Sequence, residues 1–127
     1  MPTFFVSGHL DLTDAEFEAH YVPSITEALA DSDARFVVGD ARGADAKAQA
    51  YLSTRAAERV TVFHMFTAPR NNHGAFPTRG GFESDAERDR ALTAASDRDI
   101  AWVRPGRERS GTAKNIARRS KAGASPP

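Results

Sequence analysis

Short apolar runs and stretches of helical periodicity take turns along this chain. Thr3-Phe4-Phe5-Val6-Ser7-Gly8 is a continuous apolar run closed by a turn residue, the pattern of a strand buried on both faces. Thr13-Asp14-Ala15-Glu16 is a capping-box pattern, and Phe17, Tyr21, Ile25 and Leu29 then recur on one helical face. Pro23 interrupts that face. It either kinks the helix or starts a second short one, where its missing N–H costs nothing. Arg35 to Gly39 reads as a second strand. A helix is expected from Ala44 to about Ala57, with Ala48, Tyr51 and Leu52 turned to the core.

Arg59 to Met65 reads as a third strand. A loop from Thr67 to about Glu83 follows, rich in Pro, Asn and Gly, and a loop of that length is more often functional or mobile than idle. Ser84-Asp85-Ala86-Glu87 is another capping box, opening a helix to about Ala95 with Leu92 on its apolar side. Ile100 to Val103 reads as the fourth strand, and Arg104 to Ser110 as a polar turn. Gly111-Thr112 opens a last helix to about Lys121, with Ile116 as its main apolar anchor. Residues 122–127 read as a flexible tail. Strands separated by helices at this spacing predict βαβ units and a mainly parallel sheet of four to five strands, with an edge strand available from residues assigned to the loop.

Composition narrows the class. The chain has 127 residues, enough for one domain with a modest core; it contains no cysteine, which removes disulfides, thiolate metal sites and a thiol nucleophile. No apolar run is long enough to span a membrane, and the first residues lack the pattern of a secretory signal, so the expectation is a cytoplasmic protein. The net charge is zero but unevenly spread. Residues 1–34 hold seven acids and no Lys or Arg, whereas residues 104–121 hold seven bases and one acid, Glu108. Such a division fits an anionic ligand at one end, head-to-tail self-association, or simply two solvated faces.

In an open parallel sheet, ligands bind beyond the carboxyl ends of the strands. Three such ends here carry small or glycine-rich turns: Ser7-Gly8-His9, the segment from Gly39 to Asp45, and Ser110-Gly111-Thr112. The last two lead into helix N-termini, whose free N–H groups suit a phosphate or another anion. Arg42 can fork onto a phosphate or pair with Asp40 or Asp45. Asp45 either favours the helix dipole or accepts from a ligand sugar hydroxyl. Ser110 and Thr112 can donate hydroxyls to a phosphate, or one of them is only an N-cap. His9 lies at the expected site as a polar contact or proton carrier, while His20, His64 and His73 are dispersed. The histidines lack metal-ligand spacing, so neither a metal nor a cofactor is called for. Trp102 reads as core. The phosphate-loop, dinucleotide and nucleophile-elbow signatures are absent.

Val38-Gly39-Asp40-Ala41-Arg42-Gly43-Ala44-Asp45 resembles the G-x-A-R-G-A-D signature of the YspA-type branch of the SLOG superfamily. That superfamily also holds DNA-processing protein A, molybdenum-cofactor carrier proteins and the "lonely guy" phosphoribohydrolases. Arg88 to Leu92, Ser96-Asp97, Ile100 to Val103, Ser110 to Thr112 and Ile116 to Arg119 are similar to the family's C-terminal half, so the likeness runs over about residues 3–120. It implies a Rossmann-like three-layer α/β/α fold, a homo-oligomer, and a phosphate-bearing ligand held by the Gly39–Asp45 turn and the Gly111-Thr112 helix start. The phosphoribohydrolases carry P-G-G-x-G-T-x-x-E, whose Glu serves cleavage of an N-glycosidic bond. Asn115 stands at that place here, and an amide cannot act as a carboxylate base. Arg88 matches the arginine of the family's catalytic pair, and Asp45, Asp40 or Glu108 would have to supply the acid.

The expected function is therefore binding of a nucleotide or nucleotide-derived phosphate ligand, as sensor or carrier. Gly39, Arg42, Gly43, Gly111 and Thr112 are expected to hold the phosphate, with Ser7, Gly8 and Asp45 nearby. The alternatives are an enzyme acting at a nucleotide's N-glycosidic bond, and a nucleic-acid or protein interaction module using the basic face. Nucleic acid is the least favoured partner, because no aromatic residues interleave those charges.

Overall fold

Alternation within three central strands builds two cores on either side of one sheet. The computed structural model describes residues 2–123. Its strands are β1 (Thr3–Val6), β2 (Arg35–Gly39), β3 (Val60–Met65), β4 (Thr78–Phe82) and β5 (Arg98–Ile100), in the order β4-β3-β2-β1-β5 and all parallel. Phe4, Val6, Phe36, Val38, Val60 and Val62 face one way; Phe5, Val37 and Phe63 face the other. Helices α1 (Asp14–His20), α2 (Val22–Leu29) and α3 (Ala44–Ser53) cover the first face through Phe17, Tyr21, Ile25, Ala48 and Leu52. Helix α4 (Asp85–Ala94) covers the second through Leu92, and α5 (Gly111–Gly123) packs beside it and β5. The result is a Rossmann-like α/β/α sandwich, with the parallel sheet that the element order predicted and the three layers that the family resemblance implied.

Local chemistry explains most boundaries. The Thr13–Glu16 capping box is closed in both directions, Glu16 N–H to Thr13 Oγ1 at 3.1 Å and Thr13 N–H to Glu16 Oε1 at 3.0 Å. Of the two roles open to Pro23, the structure has the second: it lies in the first turn of α2. The edge strand does come from the loop, as β4.

Five expectations are corrected. Helix α3 ends at Ser53, because the Arg55 and Ala56 N–H groups both turn back to the Leu52 carbonyl; a short 3-10 turn, Ala57–Arg59, then leads to β3. The fifth strand is Arg98–Ile100 and not Ile100 to Val103. Its partner β1 stops at Val6, so the ladder has nothing to pair with beyond Ile100, and the Trp102 N–H goes to the Tyr21 hydroxyl at 3.1 Å. Trp102 is accordingly half-buried outside the sheet, stacked on His20. Ile116 is exposed. Helix α5 is held instead by Asn115 on Asp89 and by Arg119 on Asp99 and the Ser96 carbonyl. It runs to Gly123, past Lys121, and residues 124–127 of the expected tail lie outside the described residues.

The strand order decides where a ligand can sit. The chain moves outward from β1 through β2 and β3 to β4, then returns to β5 on the other side of β1. Loops after β1 and β5 thus leave in opposite directions and open a crevice between them. Among the described residues no helix is long and apolar enough to cross a membrane.

Candidate functional site

A cavity of about 350 Å³ lies at that crevice. Its floor is apolar, Phe5 and Leu92. Its rim combines the β1 loop (Ser7 to Leu10), the end of β2 (Gly39, Ala41, Asp45), one side of α4 (Asp85, Arg88, Asp89) and the start of α5 (Ser110, Gly111, Thr112, Asn115), with Arg70 and Arg107 reaching in from loops. Of the residues singled out in the sequence, Ser7, Gly8, His9, Gly39, Asp45, Arg88, Ser110, Gly111 and Thr112 all line it. Asp40, Arg42 and Gly43 do not.

Those three have other places. Asp40 is buried and its carboxylate is fully engaged: Arg88 Nη1 donates to Oδ1 at 2.7 Å, Arg70 Nη2 to Oδ1 at 2.9 Å, and the Arg70 backbone N–H to Oδ2 at 2.8 Å. Burial would raise its pKa, but the Arg70 hydrogen bonds outweigh it and hold the carboxyl below its ordinary range. Arg42 is exposed and away from the cavity. Gly43, at φ +74°, packs its Cα onto the carbonyls of His9 and Leu10, where a Cβ would overlap them.

That packing occupies the start of α3. The Ala44 N–H donates to the His9 carbonyl at 3.1 Å, and the Asp45 carboxylate, which accepts from Ala41 N–H at 3.1 Å, fills the space beside Gly39. A Cβ on Gly39 would stand 2.6 Å from Asp45 Oδ2 and 3.1 Å from Arg88 Cζ. The glycine is needed here for those two side chains to approach the sheet edge. The small residues of the turn thus serve close packing of the loops on each other.

The start of α5 is different. Ser110 caps it, accepting from Ala113 N–H at 3.1 Å, and Lys114 N–H bonds the Ser110 carbonyl at 3.0 Å. Among the described residues the N–H groups of Gly111 and Thr112 have no protein partner, and both residues line the cavity. Ser7 stands on the same cavity. Its hydroxyl is buried and lacks a hydrogen-bond partner, a costly state in a closed interior. Arg107 adds a positive charge at the rim, 3.4 Å from Asp11.

His9 is a fixed part of the wall. Its Nε2 accepts the Arg104 N–H at 2.9 Å, so the ring is neutral with its proton on Nδ1. Burial first, and then Arg107 and Arg104, keep its pKa below the ordinary histidine value. Arg104 itself ties the loop after β5 to α1, with Nη2 on Glu16 at 2.6 Å and Nη1 on Asp11 at 3.1 Å. The opposed charges of the two chain ends meet here, inside one molecule.

Four contributors escaped the sequence reading. Arg70 and Gln49 belong to one of them, the anchoring of the long loop. Gln49 is fully buried and donates to the carbonyls of Gly39 and Asn71 at 3.0 and 3.2 Å, while accepting from His73 N–H at 2.8 Å. Asp85 and Asp89 join Arg88, at 3.2 and 2.9 Å. Tyr21, buried, bridges the Ser7 carbonyl at 2.7 Å and the Trp102 N–H, and burial pushes its hydroxyl up to about 12. A polar residue on the inner side of a helix was the available signal for Gln49; loop and helix partners for Arg70, Asp85 and Asp89 required the folded chain. Among the described residues no group of acids and histidines is arranged to hold a metal ion.

The chain matches no protein-family model, no curated protein and no solved structure.

Proposed function

We propose that this cavity binds a nucleotide or nucleotide-derived phosphate ligand, and that the protein acts as a sensor or carrier of it. The observation that carries this reading is the start of α5. Gly111 and Thr112, the first two residues of a long helix, line the cavity; among the described residues neither their N–H groups nor the buried hydroxyl of Ser7 has a protein partner. A phosphoryl group would satisfy all three, with the helix dipole and Arg107 favouring its charge. The phosphate is thereby assigned to α5 and not to the turn before α3, whose first N–H is already bonded to the His9 carbonyl. The acidic rim opposite suits a group bearing hydroxyls, such as a ribose.

A thermal-shift panel of nucleoside mono-, di- and triphosphates, ribose 5-phosphate and inorganic phosphate tests the reading. A ligand at 100 times its Kd adds about 2.7 kcal/mol, on the order of 10 °C for a domain of this size. Ser7→Ala should reduce that shift while leaving the unliganded melting temperature near wild type. No shift with any phosphate compound would overturn the reading.

A second reading has its own observation. Asp45 and Arg88 face the same cavity, and Asp45 titrates near neutrality, as a general acid must. That favours cleavage or transfer at a nucleotide's N-glycosidic bond. Release of free base from a bound nucleotide, abolished in Asp45→Asn with binding retained, would establish it; absence of base release would exclude it.

A further inference from the structure

Around the α4 side of the cavity four carboxylates stand against two guanidinium groups, with Asp45 beside the end of β2 and Asp40 buried behind the lining. Arg88 lies within 3.2 Å of Asp40, Asp85 and Asp89, and Arg70 shares Asp40 and Asp85 at 2.9 Å each. Asp45 is the fourth carboxylate. Among the described residues no Lys or Arg nitrogen lies within ion-pair distance of it, and its hydrogen bond is to a backbone N–H, that of Ala41. It is 7% exposed and lines the cavity. The groups acting on it are Arg88 and Asp89 from α4, Asp40 from the end of β2 and the uncharged Tyr21 hydroxyl across Gly8, with Asp85 and Arg70 lining the same cavity. An ionised Asp45 would be a buried charge without a partner, in a wall already carrying excess negative charge.

We propose that Asp45 meets the ligand as a neutral carboxylic acid and donates its proton in a hydrogen bond to an uncharged acceptor on the ligand, making it a specificity-determining residue. This rests on the binding function proposed above. One Asp45 oxygen accepts from Ala41 N–H; the other, protonated, is an uncharged donor beside the guanidinium groups of Arg70 and Arg88, which are paired with carboxylates. It stands two strand positions from the β5 side, where the α5 start offers its N–H groups to an anion. The site therefore selects molecules with an anionic head and, across the cavity, a carbonyl, ring nitrogen or ring oxygen. A ligand presenting only negative charge there meets the Asp85 and Asp89 carboxylates of the lining.

Burial raises the Asp45 carboxyl to about 7, against Arg88 and the Ala41 N–H, which pull the other way. Binding should then weaken about tenfold between pH 6 and pH 8, since only the protonated form donates. Titration calorimetry with the four ribonucleoside 5′-monophosphates at both pH values measures this. In wild type, the nucleotide that binds should take up close to one proton at pH 8, read from buffers of different ionisation enthalpy. Asp45→Asn carries a permanent donor and should bind at pH 8 as wild type does at pH 6, with that uptake lost; Asp45→Ala should bind at least about tenfold more weakly than Asp45→Asn at both. The nucleotide's own phosphate ionisation appears equally in wild type and Asn variant and cancels in their comparison. Equal pH slopes in these two proteins would overturn the proton-donor role and leave the phosphate site standing. Binding of none of the four at either pH would overturn both.

Discussion

Asp45 shows how one residue can read two ways in a sequence and a third way in a fold. As the second residue of a helix it suits the dipole, and as a neighbour of glycines it suits a ligand hydroxyl. The structure adds burial without a cation, which changes its protonation. The consequence for stability has a definite sign. A carboxyl raised to about 7 binds a proton in the folded state that the unfolded chain gives up near 4. Its stabilising contribution is complete below that lower value and is lost as pH rises through about 7. Asp45→Asn removes this loss. The variant should melt near the wild-type temperature at pH 4 and roughly 15 °C above it at pH 8. Thermal melts across that range check it; parallel pH curves for the two proteins would mean that Asp45 is ionised throughout. His9 acts with the opposite sign: its lowered pKa makes protonation below the ordinary histidine range costly, because the Arg104 N–H would lose its acceptor.

Among the elements, the long segment between β3 and β4 was legible as a loop and opaque in its role. Its glycines, prolines and asparagines announced irregular backbone. Its fixation depends on α3 and β2, far away in sequence: Gln49 holds Asn71 and His73, and Asp40 holds Arg70. Phe76 from the same segment enters the core beside the first helix layer. Replacing Gln49 by Leu keeps the bulk but takes the side-chain partner from three backbone groups, one buried and two part-buried. The expected cost is about 3 kcal/mol in urea unfolding, with faster amide exchange across residues 70–76. An effect below 1 kcal/mol would show that the loop is held by Arg70 and Phe76 alone. Helix α5 teaches the complementary point. Ile116 had the right composition for an anchor, yet the helix sits on polar contacts of Asn115 and Arg119, because its inner face meets α4 and β5 at Asp89 and Asp99.

For the whole molecule, topology sets both the site and the stability gradient. Strands β1, β2 and β3 are paired on both sides and covered on both faces, whereas β4 pairs on one side and its residues are largely exposed. Native-state hydrogen exchange should find β1 to β3 opening only with global unfolding, and β4 with the adjoining loop opening well before. Equal protection for β4 would point to a partner covering that edge. The central strands, though not their order in the sheet, and four of the five helix starts were written in local pattern: apolar runs, period four, capping boxes and a proline in a first turn. Such signals are short-range, so the sequence alone could determine them. The parallel α/β class followed from their order. What only the tertiary structure decided is which of two similar glycine turns stays open. The β1 loop closes the start of α3 with the His9 carbonyl and leaves the start of α5 facing the cavity, and three acids, Asp40, Asp85 and Asp89, take the two arginines so that Asp45 has none. Those outcomes depend on distances between residues dozens of positions apart, and no local pattern encodes them.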